Sequence, residues 1–324
     1  MRPRDAGSLR ARPATAHGAL PRRQRGVAAI TAILMVALAT VIAVNLVWEN
    51  NLDQRRTGTL LSMDQALQYA FGAEAWAAHI LLLDLQNTPT DHLGEDWAIA
   101  LPPLPLDGGE LAGRLEDLQG RFNVNNLVTE EGVADPLRVV QFERLLEALG
   151  LDVKWAQIAV DWLDRDIDES FPAGAEDDVY TALIPSYRAA NQPIGTTTEL
   201  MALAEMDRAT FELLRPHIAA LPIGSRINVN TATAPVLQSL SSNIGSSEAT
   251  SLIEARADTG FPDYIGAFDE LVEPEVLDTL VDSTQYLRLT AQVSIGTSLL
   301  TMYSLLQRSD TGAVTPLMRS FGAE

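Results

Sequence analysis

Between Val27 and Trp48 (VAAITAILMVALATVIAVNLVW) the chain runs for 22 residues with only Thr31, Thr40 and Asn45 as polar members. At about 1.5 Å rise per residue this is roughly 33 Å of helix, enough to cross the hydrocarbon core of a bilayer. Apolar residues then recur at helical spacing, at Leu60, Met63, Leu67, Ala70, Ala77, Leu81 and Leu85, with no proline before Pro89. The pattern predicts one uninterrupted helix from Val27 to Leu85, its first part in a membrane and its second amphipathic.

After the proline-rich connector Leu101 to Leu106 the period changes. Glu110 to Leu127 mixes short extended runs with turn residues, including Gly120, and predicts a β-hairpin. Gln285 to Ile295, Ser298 to Arg308 and Val314 to Ser320 read as three strands, the last two joined by Ser309, Asp310, Thr311 and Gly312. Five strands would make one antiparallel sheet. Between its two parts the pattern is helical, with predicted helices at Pro136 to Leu149, Lys154 to Asp164, Thr197 to Ala204, Asp207 to Ala220 and Ser247 to Ala257. The expected class is α+β: a long N-terminal helix packed on an antiparallel sheet, with an all-helical domain inserted in the sheet's sequence. The boundaries are 27–48 for the transmembrane segment, 49–132 and 283–324 for the helix-plus-sheet domain, and 133–282 for the insertion.

Charge changes the picture at the N terminus. Residues 1–26 hold seven arginines and one acid, which leaves 16 bases against 42 acids in the rest of a chain whose overall charge is −20. So acidic a body repels phosphate backbones, and no nucleic-acid partner is expected. With no cysteine, disulfides and thiolate metal sites are excluded. The four histidines, His17, His79, His92 and His217, fall in no HExxH pattern, and no GxSxG or Walker loop is present, so no catalytic residue is assigned.

The seven leader arginines all precede the apolar run, which by the positive-inside rule keeps the N terminus cytoplasmic and sends the body across the membrane, in a Gram-negative cell into the periplasm. No small-residue cleavage pattern follows the run, in Asn45 to Arg56, but Arg25 and Gly26 directly precede it. This arrangement resembles the type IV prepilins. The resemblance implies a 1–26 leader cut by a prepilin peptidase between Gly26 and Val27, with the apolar helix kept as inner-membrane anchor and assembly stem. Where pilins carry glutamate at the fifth mature position this chain has Thr31, which suits a subunit with no neighbour ahead of it.

The fragments GRFNVNNL (Gly120 to Leu127), DWLDRD (Asp161 to Asp166), GAEDDVY (Gly174 to Tyr180), YRAAN (Tyr187 to Asn191), TEL (Thr198 to Leu200) and NVNTA (Asn228 to Ala232) resemble, in order and spacing, the minor pseudopilin K (GspK) family of type II secretion. The resemblance implies a tip subunit of the periplasmic pseudopilus, nucleating or capping its assembly for protein export across the outer membrane. It implies the I- and J-type minor pseudopilins and other pseudopilus subunits as partners.

Asp161 to Asp178 carries eight acids and one arginine in 18 residues. Such a run is either a solvated acidic loop or a set of hard oxygen ligands ordered by a cation. Asp164, Asp166 and Asp168 match the start of an EF-hand loop, but Glu169 and Ala175 stand where that loop needs glycine and a bidentate glutamate. A looser site would combine Asp164, Asp166 and Asp168 with Glu176, Asp177 and Asp178 around Pro172 and Gly174. The pseudopilin resemblance implies structural calcium in this region.

Asn228 to Leu271 is similar to the helix-hairpin-helix unit of competence-type DNA receptors, and RINVNT at Arg226 repeats RFNVNN at Arg121. Arg226 to Val272 carries two bases, Arg226 and Arg256, against six acids, which opposes phosphate binding. A scaffold role is expected. The competing functional readings are a membrane-anchored DNA receptor for uptake and a type IV pilus minor pilin.

Overall fold

A computed structural model describes residues 23 to 322; the segment before Arg23, and so most of the expected leader, lies outside the described residues. Helix α1 (Arg23–Asn87) is continuous. The chain divides at Leu60 and Leu61 into two compact units. In the first, every residue from Gly26 to Leu60 is exposed, and this is the one helix among the described residues long and apolar enough to cross a membrane.

In the second unit, α1 buries Ala66, Ala70, Ala73, Ala77 and Leu81 against the sheet, at spacings of three and four. Alanines let the helix backbone approach closely, and neighbouring leucines fill the flanks. The expected face is therefore shifted. Leu60 and Met63 stay exposed, while Ala66 and Ala73, too small to stand out in the pattern, carry the contact.

Beyond α1 come β1 (Leu104–Leu106) and β2 (Gly109–Asp117), then β3 (Phe122–Asn123), α2 (Pro136–Ala148), α3 (Lys154–Leu163), α4 (Asp177–Thr181), α5 (Arg208–Leu214) and β4 (Ile218–Ala219). A second run follows: β5 (Ile227–Asn228), α6 (Ala234–Ser239), α7 (Ser246–Arg256), α8 (Tyr264–Phe268), α9 (Pro274–Leu277) and β6 (Leu280–Val281). The chain closes with β7 (Tyr286–Ile295), β8 (Ser298–Arg308) and β9 (Val314–Phe321). The main sheet is antiparallel, in the order β1-β2-β7-β8-β9.

Its first hairpin is not where the pattern placed it. Glu110 to Leu127 does not fold on itself; β2 pairs back with β1, inside the proline-rich connector, through the two-residue turn Asp107-Gly108. Gly108 sits at φ +83, the conformation such a turn requires. Pro105 is tolerated because β1 is an edge strand. Two helices are also corrected. Thr197–Ala202 is a 3-10 helix, and the predicted helix Asp207 to Ala220 ends at Leu214, since Pro216 brings no N–H to extend it.

The residues between β2 and β7 have their own core, built on Phe122, Phe142, Leu145, Leu163, Tyr180, Leu214, Leu237 and Phe268. They fold as two versions of one plan. β3 pairs in parallel with β4, and β5 in parallel with β6, each pair enclosing helices. The asparagines repeat as well. Asn123 Oδ1 accepts from the Asn125 amide, as Asn228 Oδ1 accepts from that of Asn230. Asn125 Oδ1 accepts from the backbone N–H of Ile194, as Asn230 Oδ1 accepts from that of Phe261, at 2.8 Å in both. Asparagine suits these buried turns because one amide both donates to and accepts from backbone. At Gly120, where the first repeat opens, an added Cβ would lie 2.8 Å from the Thr231 carbonyl oxygen of the second.

Candidate metal centre

Helix α3 delivers Asp161 and, one turn later at its C-cap, Asp164. Asp161 is fully buried and ties the following loop back to the helix. Its Oδ1 and Oδ2 accept from the Ser170 amide at 3.2 and 3.1 Å, and Oδ2 accepts from that of Ala175 at 2.8 Å. Gln157 Oε1, one turn earlier, accepts from the Ala173 amide at 2.9 Å. The loop passes so close that a Cβ on Gly174 would lie 2.1 Å from Asp161 Oδ2. This closure returns Glu176 to the helix end.

Asp164, Asp166 and Glu176 each place a carboxylate oxygen within 4.8 Å of the others. Asp164 and Glu176 are 5% and 3% exposed, and Asp164 Oδ1 and both Glu176 oxygens are buried with no hydrogen-bond partner. Arg165, the one base in the run, is drawn aside to donate to the Glu131 carbonyl at 3.0 Å. Burial, then the charges of Asp166 and Asp161, pushes Asp164 up to about 7. Burial, then Asp161 and Asp164, does the same to Glu176. Three convergent carboxylates, the buried two with orphaned oxygens and none paired with a base, form the donor set that a hard divalent cation takes.

The other expected ligands stand elsewhere. Asp168 is exposed, its backbone amide bonded to Asp166 Oδ1. Asp177 accepts from the Ala189 amide and pairs with Arg188, and Asp178 accepts from the Val179 amide in the first turn of α4. Asn191 was not anticipated. Its Nδ2 donates to the Asp166 carbonyl at 2.7 Å and its amide to the Trp162 carbonyl, while its Oδ1 is buried without a partner. Asp161 was legible only in the acid count, although its spacing of three from Asp164 puts both on one helix face.

A second carboxylate group, Asp84, Asp91 and Glu95, is built differently. Arg308 pairs with Asp84 and Asp91, while Glu95 accepts from Thr88 Oγ1 and Trp97 Nε1 at 2.7 Å each. The protein itself supplies its positive charge.

At the helix-hairpin-helix-like segment, Arg256 is 5% exposed and its Nη1 donates to the Val229 and Ala232 carbonyls at 2.6 and 2.7 Å. It is spent inside the second repeat rather than presented to phosphate. Near the start of α1, the Thr31 hydroxyl donates to the Ala28 and Val27 carbonyls within its own helix, and Gly26 and Val27 lie exposed in the same helix.

Residues 120–223 and 227–285 match two family models, both described as type II secretion system protein K. The two matches follow the two repeats. Type II secretion system protein K of Pseudomonas aeruginosa is 37% identical over 315 residues, covering 93% of this chain and 94% of that protein. The Aeromonas hydrophila protein of the same description is 30% identical, over 93% of this chain and 98% of its own. Among solved structures, a chain of the GspK-GspI-GspJ complex from the enterotoxigenic Escherichia coli type 2 secretion system superposes with a TM-score of 0.74 at 27% identity. That match covers 83% of this chain and all of that one.

Proposed function

This chain belongs to the type II secretion system protein K family, and from that premise we propose that it acts as a minor pseudopilin at the tip of a periplasmic pseudopilus. A prepilin peptidase would cut between Gly26 and Val27, leaving Val27 to Trp48 as a single-pass anchor in the inner membrane with the body in the periplasm. The role is structural and involves no catalytic step. The observation that carries the reading is the double-repeat helical body threaded between β2 and β7 of the sheet that α1 covers. A stem of pilin type can enter a bundle of like stems, while a head of this bulk hinders addition ahead of it. Thr31, satisfied within its own helix, needs no amino terminus from a preceding subunit. The similarity to a chain solved with GspI and GspJ supports the corresponding minor pseudopilins as its neighbours.

The second part of the proposal is a structural calcium ion. Asp164, Asp166 and Glu176 would hold it, Asp161 keeps the loop closed around them, and the ion would supply the positive charge that the orphaned oxygens lack. Its work would be to fix the loop between α3 and α4 rather than to perform chemistry.

Deleting the gene tests the first part. Exoproteins should accumulate in the periplasm and be released again on complementation with residues 1 to 324. Unchanged release would reject a secretion role. Terbium luminescence on the full chain in detergent tests the second: calcium-reversible binding is expected, and it should be lost in the variant Asp164→Asn with Glu176→Gln.

A further inference from the structure

Two short loops, one inside the acidic segment and one just after it, each carry an apolar side chain at the apex. The first is closed by the Gly174 amide on the Ser170 carbonyl at 2.6 Å and presents Phe171, 93% exposed. The second is closed by the Leu183 and Tyr187 amides on the Tyr180 carbonyl and presents Ile184, 99% exposed. Ile167, 73% exposed, stands on the turn between Asp166 and Asp168. These are the three most exposed large apolar side chains among the described residues, ahead even of those on the membrane-type stretch of α1. Their bases are fixed: Tyr180 is fully buried, packed edge-on against Trp162, and Ser170 is held by Asp161. Large apolar groups displayed on anchored loops mark a binding surface.

The charge around them selects the occupant. In residues 165 to 188, Asp168, Glu169 and Asp178 are exposed and stand outside the three gathered carboxylates, while both arginines are engaged, Arg165 with the Glu131 carbonyl and Arg188 with Asp177. A second copy of this acidic chain, an anionic headgroup and a nucleic acid would all be repelled. We infer that Phe171 and Ile184 dock into an apolar recess edged by lysine or arginine on another protein, the acids of the same segment steering the approach. The secretion readout below rests on the pseudopilin reading; the contact itself does not.

The test uses the full chain in a secreting strain, with a photoreactive phenylalanine analogue placed at 171, at 184, or at the control position 140, which is 40% exposed on α2. Light-dependent adducts with one protein are expected from 171 and 184 but not from 140, the attached peptide carrying basic residues beside apolar ones. The variant Phe171→Ser with Ile184→Ser should accumulate normally and co-isolate with its neighbouring pseudopilins, yet release roughly tenfold less exoprotein, as loss of two interface anchors would give. The inference fails if 171 and 184 give no adduct, if the adducts are with lipid or a second copy, or if the double variant secretes at the parental level. If deleting the whole gene leaves release unchanged, the secretion reading fails instead, and the adducts alone decide the contact.

Discussion

Arg308, the last residue of β8, pairs with Asp91, and both side chains are almost wholly withdrawn from water, at 3% and 2% exposed. Arg308 Nη1 also donates to Asp84 Oδ2 at 3.2 Å, in the last turns of α1. Asp91 Oδ2 accepts from the Thr284 amide, and the Thr284 hydroxyl donates to Asp117 Oδ1, each at 2.6 Å. Asp117 Oδ2 in turn accepts from Thr231 Oγ1 and Asn228 Nδ2. One buried chain of polar contacts thus joins helix, sheet and second repeat.

Removing one charge from that chain should cost more than removing two. Arg308→Met leaves Asp91 and Asp84 buried without their cation, and a loss of about 3 to 5 kcal/mol is expected. Adding Asp91→Asn should recover part of it, because the uncompensated charge is then gone. Urea unfolding of the full chain in detergent, carried out as a double-mutant cycle, measures both. Equal losses for the single and double variants would mean that the pair contributes packing rather than charge compensation.

The loop at the carboxylate centre depends on a position with no side chain. Gly174→Ala would set a methyl group 2.1 Å from Asp161 Oδ2 and 2.5 Å from the Ser170 amide nitrogen, so the loop must open and carry Glu176 away. Terbium binding should weaken at least as much as in Asp161→Asn, although neither residue is among the three gathered carboxylates. Unchanged binding in Gly174→Ala would show that Glu176 is not needed.

What the sequence made legible follows from the size of each signal. The continuous helix and the strands β7 to β9 rest on long periodic runs; the structure has the strands within one residue at each end, and the helix begins four residues before the expected Val27 and ends two after Leu85. Strand β1 was hidden because Pro103 and Pro105 read as a connector, although Asp107-Gly108 announced a two-residue turn. The duplication was visible in RFNVNN and RINVNT, but its meaning, paired asparagines clamping distant backbone, needs contacts across 69 and 31 positions. At the candidate metal centre the acid run was plain. Choosing Asp164, Asp166 and Glu176 over Asp168, Asp177 and Asp178 requires knowing that Asp161 folds the loop.

Arg256 separates a scaffold from a phosphate-binding hairpin. Its guanidinium satisfies two buried carbonyls, so Arg256→Ala should cost about 2 to 4 kcal/mol through orphaned acceptors and an unfilled space. Arg226, exposed by comparison, should tolerate Arg226→Glu within about 0.5 kcal/mol. Gel-shift titrations of the full chain with duplex DNA, run at several salt concentrations, complete the test. A scaffold gives no binding that these substitutions weaken, whereas a DNA receptor would lose salt-sensitive binding in both.

The pH dependence of stability should reveal the cation directly. Without metal, Asp164 and Glu176 in the folded chain are raised to about 7, so between about pH 4 and 7 the folded state holds protons that the unfolded state has released. Their contribution is complete below that window and is lost as pH rises through about 7. In EDTA the full chain should therefore melt at a lower temperature at about pH 8 than at about pH 5, so far as these groups govern the difference. Calcium binds the ionised carboxylates and competes with those protons, so its stabilising effect should be small at the lower pH and large at the higher. In Asp164→Asn with Glu176→Gln both the calcium effect and this part of the pH slope should vanish together. A calcium effect of equal size at both pH values would place the ion on carboxylates other than these.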